Sequence, residues 1–257
     1  MLPQAQGSAE GMPPEAAAAE SRAILDRVRA ALRSEPRIRT AGEPIRLAYA
    51  GGDLTMEGEV DHIAGKKLAL ECAARNPAVA TITDRLRVRP ATPMGNGAIR
   101  DRVRDALLQD ADLSRNTILV RDGTALETIQ QPADATGTIE IRVADGVVTL
   151  DGDVVGIGQK RLAGVLAWWV PGTRDVVNGL GVTPAEADSE AAVTDAVRLI
   201  LEKDPFVNAE SITVRTCRRT VVLEGTVPRE IERKLAEDDT WYVFGVDAVV
   251  NRLAVRR

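Results

Sequence analysis

One interval recurs three times in this chain of 257 residues. From a glycine near the end of an alternating apolar run to a leucine in a later run the distance is 28 residues: Gly58 to Leu86, Gly152 to Leu180, and Gly225 to Leu253. Equal spacing without a gap implies three copies of one small supersecondary unit rather than one large domain. The strand ahead of each glycine repeats too. Thirteen residues before it stand Ile45, Ile139 and Ile212, and eleven before it stand Leu47, Ile141 and Val214, alternate positions that share one face of a strand.

Each copy reads as helix, strand, strand, helix, strand. In the first, Ile24, Leu25, Val28, Ala31 and Leu32 share a helical face that ends before Pro36. An alternating strand Ile45–Tyr49 then turns at Gly51-Gly52 into Leu54–Glu57, because a tight hairpin needs positive φ. A second helix runs from Ala64 to about Arg75, and a strand Ala80–Val88 closes the unit. The fold class is therefore α+β, three tandem αββαβ units over 21–90, 97–184 and 188–257, each a small mixed sheet covered by two helices. Residues 1–20 hold almost nothing to bury and read as a disordered tail, with a fraying helix at most along Glu15–Glu20.

The second and third copies depart from the first in two places. Between helix and strand the second copy is about 20 residues longer, over Leu113–Gly137. That excess is expected outside the second core as a surface or binding loop, with Thr117–Arg121 within it readable as an extra strand. The second copy's hairpin turn is Asp145-Gly146, whereas the third has Arg218-Arg219, which must be longer or strained because arginine avoids positive φ.

Units of about 70 residues have marginal cores alone, so contacts between them are expected. No apolar run approaches a membrane span, and no basic and apolar leader is visible, which favours a cytoplasmic location, or a periplasmic one if a leader was trimmed. Cys72 and Cys217 occupy non-equivalent positions and match no metal spacing; they read as free thiols. The net charge of −5 conceals an asymmetry: the first unit has 13 basic against 9 acidic residues, while the second and third are acidic on balance.

Catalytic chemistry needs converging reactive groups, and few are offered. The only histidine, His62, faces Gly156 and Arg229 at the matching positions of the other copies. Asp151 and Asp153 flank a glycine as Glu57 and Glu59 do, which reads as a repeated solvent-facing edge. There is no phosphate loop, nucleophile elbow or metal spacing, so no cofactor, metal or enzyme activity is expected.

The closing segments carry a family likeness. Leu223-Glu224-Gly225-Thr226-Val227 followed by Phe244-Gly245-Val246-Asp247-Ala248-Val249-Val250-Asn251-Arg252-Leu253 resembles the BON domain family (bacterial OsmY and nodulation). The second copy resembles it through Pro171-Gly172-Thr173-Arg174-Asp175-Val176-Val177-Asn178-Gly179-Leu180. The first departs from the pattern, with Ala78 for the second glycine and Asp84 for the asparagine. The resemblance implies a non-catalytic, envelope- or stress-associated module that binds phospholipid surfaces or other macromolecules. No ligand residue carries over from it.

Gly58, Gly152, Gly225, Gly172 and Gly245 read as structural glycines. Arg22, Arg29 and Arg33 fall on one helical face, away from the apolar one, and with Arg37 and Arg39 form the densest positive patch. A solvated face is one reading; a face for lipid phosphates is the other. Nucleic acid fits less well, since the chain is acidic and no aromatic residue is interleaved with these arginines. Trp168 and Trp241, each 16 residues past its glycine, suit either packing between units or an aromatic lip for lipid headgroups. The remaining alternative is a scaffold that self-assembles or binds other proteins.

Overall fold

The computed structural model describes residues 14–40 and 42–256. In the first unit, helix α1 (Pro14–Ser34) leads to strands β1 (Arg46–Ala50) and β2 (Asp53–Val60), helix α2 (Ile63–Ala74) and strand β3 (Thr81–Val88). The hairpin β1–β2 is antiparallel and β3 returns parallel to β2, giving the order β1-β2-β3. Residues 14–20 are helical and continuous with the rest of α1, as the fraying helix along Glu15–Glu20 allowed; residues 1–13 of the expected tail lie outside the described residues. Ala-rich sequence with Glu15 in the first turn explains the extension, since alanine is the best helix former and an acidic side chain suits a helix start.

The third unit repeats this plan with helix α5 (Glu190–Lys203), strands β10 (Ile212–Cys217) and β11 (Thr220–Val227), helix α6 (Glu230–Tyr242) and strand β12 (Ala248–Val255). Its hairpin keeps a two-residue turn by placing Arg218 and Arg219 at φ of 48° and 59°, the strained option of the two expected.

The second unit contains helix α3 (Asn96–Gln109), strands β4 (Asn116–Asp122), β5 (Ala125–Gln130), β6 (Gly137–Ala144) and β7 (Val147–Val154), helix α4 (Gly156–Trp168), and strands β8 (Asp175–Asn178) and β9 (Gly181–Val182). Here the expectation of an insertion outside the core is overturned. β4 pairs parallel with β6, Ile118 beside Ile139 and Val120 beside Ile141, and β5 adds an outer antiparallel strand. Ile118 and Val120 are buried because their apolar side chains fall on the same sheet face as Ile139 and Ile141, and Leu113, in the turn just before β4, is buried with them. The segment extends the sheet and its core.

Two apolar clusters result. One, of Val28, Leu32, Leu54, Met56, Ala69, Ala73 and Leu86, lies wholly inside the first unit. The other joins the second and third units and takes in Val60, Ile63, Leu68 and Val88 from the first. The units meet through their second helices, with α6 packed against both α2 and α4.

Gly152 and Gly225 sit within β7 and β11 at φ of 116° and 138°. A Cβ at either would fall inside the carbonyl of Thr138 or of Ser211. Gly58, at φ 154°, is roomier, with Ile45 Cα 3.4 Å from such a Cβ.

Candidate binding site at the junction of the units

The junction is built from residues at one repeated position, nine residues past the pivotal glycine on each second helix. In the first unit this is Lys67, whose Nζ donates to the carbonyls of Val243 and Val246 at 3.0 Å each. In the second it is Arg161, 1% exposed, whose Nε donates to the Phe244 carbonyl at 2.9 Å and whose guanidinium pairs with Asp188. Both therefore grip the loop between α6 and β12. The third unit's counterpart, Lys234, is exposed. Burial pushes the Lys67 ammonium down to about 7, opposed by the Asp247 carboxylate.

One residue earlier, Lys66 links the first two units. Its buried Nζ donates to the Leu86 carbonyl at 3.0 Å and pairs with Asp175 at 2.6 Å and Asp84 at 3.0 Å, while Arg87 holds the other oxygen of Asp175 at 3.0 Å. In the sister units the residue equivalent to Asp84 is an asparagine that donates to its second helix: Asn178 to the Lys160 carbonyl at 2.7 Å, Asn251 to that of Arg233 at 2.9 Å. A carboxylate cannot donate, so the first unit supplies a lysine instead.

At the centre, Trp168 stacks on Tyr242 with ring centroids 5.5 Å apart. These two rings and Ile63 line two clefts in common. One, of about 820 Å³, holds Lys66, Lys67, Arg161 and the exposed ring of Phe244. The other, of about 850 Å³, draws on all three units: His62 and Pro90, then Trp168 and Trp169, then Asp204, Phe206, Asp238 and Asp239.

In the second cleft Trp169 Nε1 donates to Asp239 Oδ1 at 2.7 Å, and the backbone N–H of Phe206 donates to Asp204 Oδ1 at 2.8 Å. Asp239 is 3% exposed and its Oδ2 has no hydrogen-bond partner. Burial pushes its carboxyl up to about 8; the bond from Trp169 works against this, and the neighbouring Asp204 carboxylate adds to it. Burial raises Asp238 and the Tyr242 phenol as well.

The residues singled out from sequence fall in different places. Arg22, Arg29 and Arg33 lie exposed along α1 and line neither cleft. Trp168 is half-buried at the junction, whereas Trp241 is fully buried. Trp241 therefore offers no surface to a headgroup, and that reading of it is corrected: the end of α6 turns inward, and Lys67 Nζ lies 6.0 Å from its ring centre. Gly172 packs against Met94 and Ile99, and Gly245, at φ 92°, against Arg161 and Asp188. His62 is exposed at the rim of the second cleft.

Sequence reasoning missed Lys67, Arg161 and the acidic cluster. A signal existed for each. The basic residue recurs at one repeat position in all three copies, and Asp239 stands where the second copy has Leu166, an acid at a core position. Among the described residues no group of three metal-ligating side chains occurs, and no helix is long and apolar enough to cross a membrane.

The sequence profile of the BON domain matches residues 21–90, 127–184 and 189–257. The chain belongs to the BON domain family, with three copies, and BON domains are generally non-catalytic binding modules. The middle match begins within β5, past the strand that separates α3 from its hairpin. No curated protein matches the chain. Two solved structures of CdsD, a structural protein of the type III secretion system of Chlamydia trachomatis, are similar at 13% and 14% identity. They cover 91% of this chain and 98% and 92% of their own, the first being of the C-terminal domain. At a TM-score of 0.24 each, neither carries any argument about this protein.

Proposed function

We propose that this protein is a binding module that docks on anionic phospholipid surfaces through the outer face of α1, in the envelope- or stress-associated setting its family resemblance suggests. The observation that supports this is the arrangement of α1: Arg22, Arg29 and Arg33 are exposed on one side, while Ile24, Val28 and Leu32 are buried on the other. Near an anionic surface each arginine contributes on the order of 1 kcal/mol, so three give a useful, salt-sensitive affinity. Arg29 pairs with Asp26 at 2.9 Å, but both are exposed, and such a pair exchanges readily for a lipid phosphate. The acidic second and third units disfavour flat docking and tilt the first unit toward the surface.

Sedimentation with liposomes of graded anionic content tests this. Wild-type protein is expected to bind at low salt and release as salt rises, and the triple reversal R22E/R29E/R33E to stay folded and unbound. Equal binding by the folded variant would remove the assignment. Concentration-dependent assembly indifferent to lipid would favour a self-assembling scaffold instead.

A further inference from the structure

The second cleft gathers three acidic groups, Asp204, Asp238 and Asp239, with His62 and Lys234 the basic side chains that act on Asp238. Among the described residues no lysine or arginine lies within ion-pair distance of Asp204, Asp238 or Asp239; Arg89, at the rim, is engaged by Glu59 and Asp61. Asp204 and Asp239 are almost fully buried, at 8% and 3% exposure, and Asp239 Oδ2 is unpartnered. A buried carboxylate without a counter-charge is costly unless something cationic or a proton meets it. The walls of the same cleft are aromatic: Trp168, Trp169, Tyr242 and Phe206.

We propose that this cleft is a binding site for an organic ammonium ion, held by the carboxyl groups of Asp204, Asp238 and Asp239 against the rings of Trp168, Trp169, Tyr242 and Phe206. Ring faces attract a weakly hydrated cation through their quadrupoles, and carboxylates at the floor supply the compensating charge. A small inorganic cation fits poorly, because rings offer no lone pairs and such ions keep oxygen ligands or their own water. The volume, about 850 Å³, lies in the range of small-molecule sites. Phe206 stands at the opening with its ring 67% exposed, a side chain that a bound ligand would cover. Because Trp168 and Trp169 come from the second unit and the acidic groups, Tyr242 and Phe206 from the third, with His62 and Pro90 of the first at the rim, the site depends on the docking of the second and third units. It shares no residue with the arginine face of α1, so the two readings stand or fall separately.

Two sources carry this chemistry: a quaternary ammonium, as in a choline-type headgroup, and a primary alkylammonium, as in a lysine side chain. Titration of the full chain with tetramethylammonium chloride and with n-butylammonium chloride, each against matched sodium chloride, separates them. The readout is tryptophan emission, since Trp168 and Trp169 line the cleft. A saturable change is expected with at least one organic cation and none with sodium. The tighter probe names the source. Asp204→Asn is expected to weaken binding about tenfold, the effect of losing one charged partner. Asp239 keeps its proton to about pH 8, so Asp239→Asn is expected to weaken binding chiefly above that pH. Phe206→Ala, at an exposed ring that folding does not need, is expected to weaken it severalfold and keeps the test valid if the buried substitutions unfold the protein. A response that follows sodium chloride, or saturates identically in wild type and folded F206A, would overturn the proposal.

Discussion

Replacing Asp239 with asparagine removes the most displaced carboxyl in the protein while keeping its shape. The amide oxygen retains the hydrogen bond from Trp169, and the new NH₂ group donates toward Asp204. In the wild type the folded state keeps the Asp239 proton to about pH 8, against an ordinary value of 3.8 that the unfolded chain follows. Between those limits the folded state binds the extra proton. Stability contributed by that proton is therefore intact below 3.8, falls as pH rises, and is fully lost above about 8. The slope for one proton is about 1.4 kcal/mol per pH unit, so raising the pH from 5 to 7 removes on the order of 2–3 kcal/mol. The asparagine variant has no proton to lose. Urea unfolding of both proteins at pH 5, 6 and 7 and constant ionic strength measures the difference, from which groups remote from Asp239 cancel, leaving Asp239 and its coupled neighbours Asp204 and Asp238. The variant is expected to gain on the wild type steadily across the series. Parallel stability curves would refute the reasoning and mean that Asp239 is ionised throughout.

Substitution at the pivotal glycines should separate the copies. Gly225→Ala combines a positive φ with a methyl driven into the Ser211 carbonyl and is expected to cost more than about 3 kcal/mol, whereas Gly58→Ala meets only ordinary contact and costs about 1–3 kcal/mol, as read by thermal or urea unfolding. Lys66→Met strips the buried ammonium from Asp175 and Asp84, leaving a carboxylate at the boundary of the first two units short of a partner. A loss of about 3–5 kcal/mol is expected in the same assay, and a neutral outcome would mean that Arg87 alone satisfies Asp175.

The repeat was legible because of what the 28-residue interval physically is. Gly58 pairs with Leu86 and Gly225 with Leu253 across the parallel ladder, so the interval is the register of β2 on β3 and of β11 on β12. The length of the crossover helix and its loops fixes that register, and all of it is local. In the second unit Leu150 and Asn178 keep the same offset, but the chain leaves the ladder at Gly179 and rejoins it at Gly181. The inserted strand was harder to place. Ile118 and Val120 alternate visibly, yet their partners Ile139 and Ile141 lie beyond a segment whose length suggests a loop. The junction was less legible still. Asp239 and Trp169 are unremarkable within their own copies, and their bond exists only because α4 and α6 are packed together. Charged residues on helices are usually solvated, so nothing local marks Lys67 and Arg161 for the junction until the loop at Val243–Val246 is brought against them.

The division of the apolar core into two clusters sets how the molecule comes apart. The second and third units share one continuous interior, so neither is able to expose its own part without disturbing the other, and they should open as a single cooperative block. The first unit keeps a seven-residue interior to itself and touches the shared one only through Val60, Ile63, Leu68 and Val88. It is thus the segment with least to lose on opening alone. Amide exchange in β1 and β2 should then proceed through a partial opening at lower free energy than exchange in β7 or β11, which must await the whole. The arginine-bearing helix α1 travels with the loosely held part, so whatever immobilises it would raise the protection of that part alone.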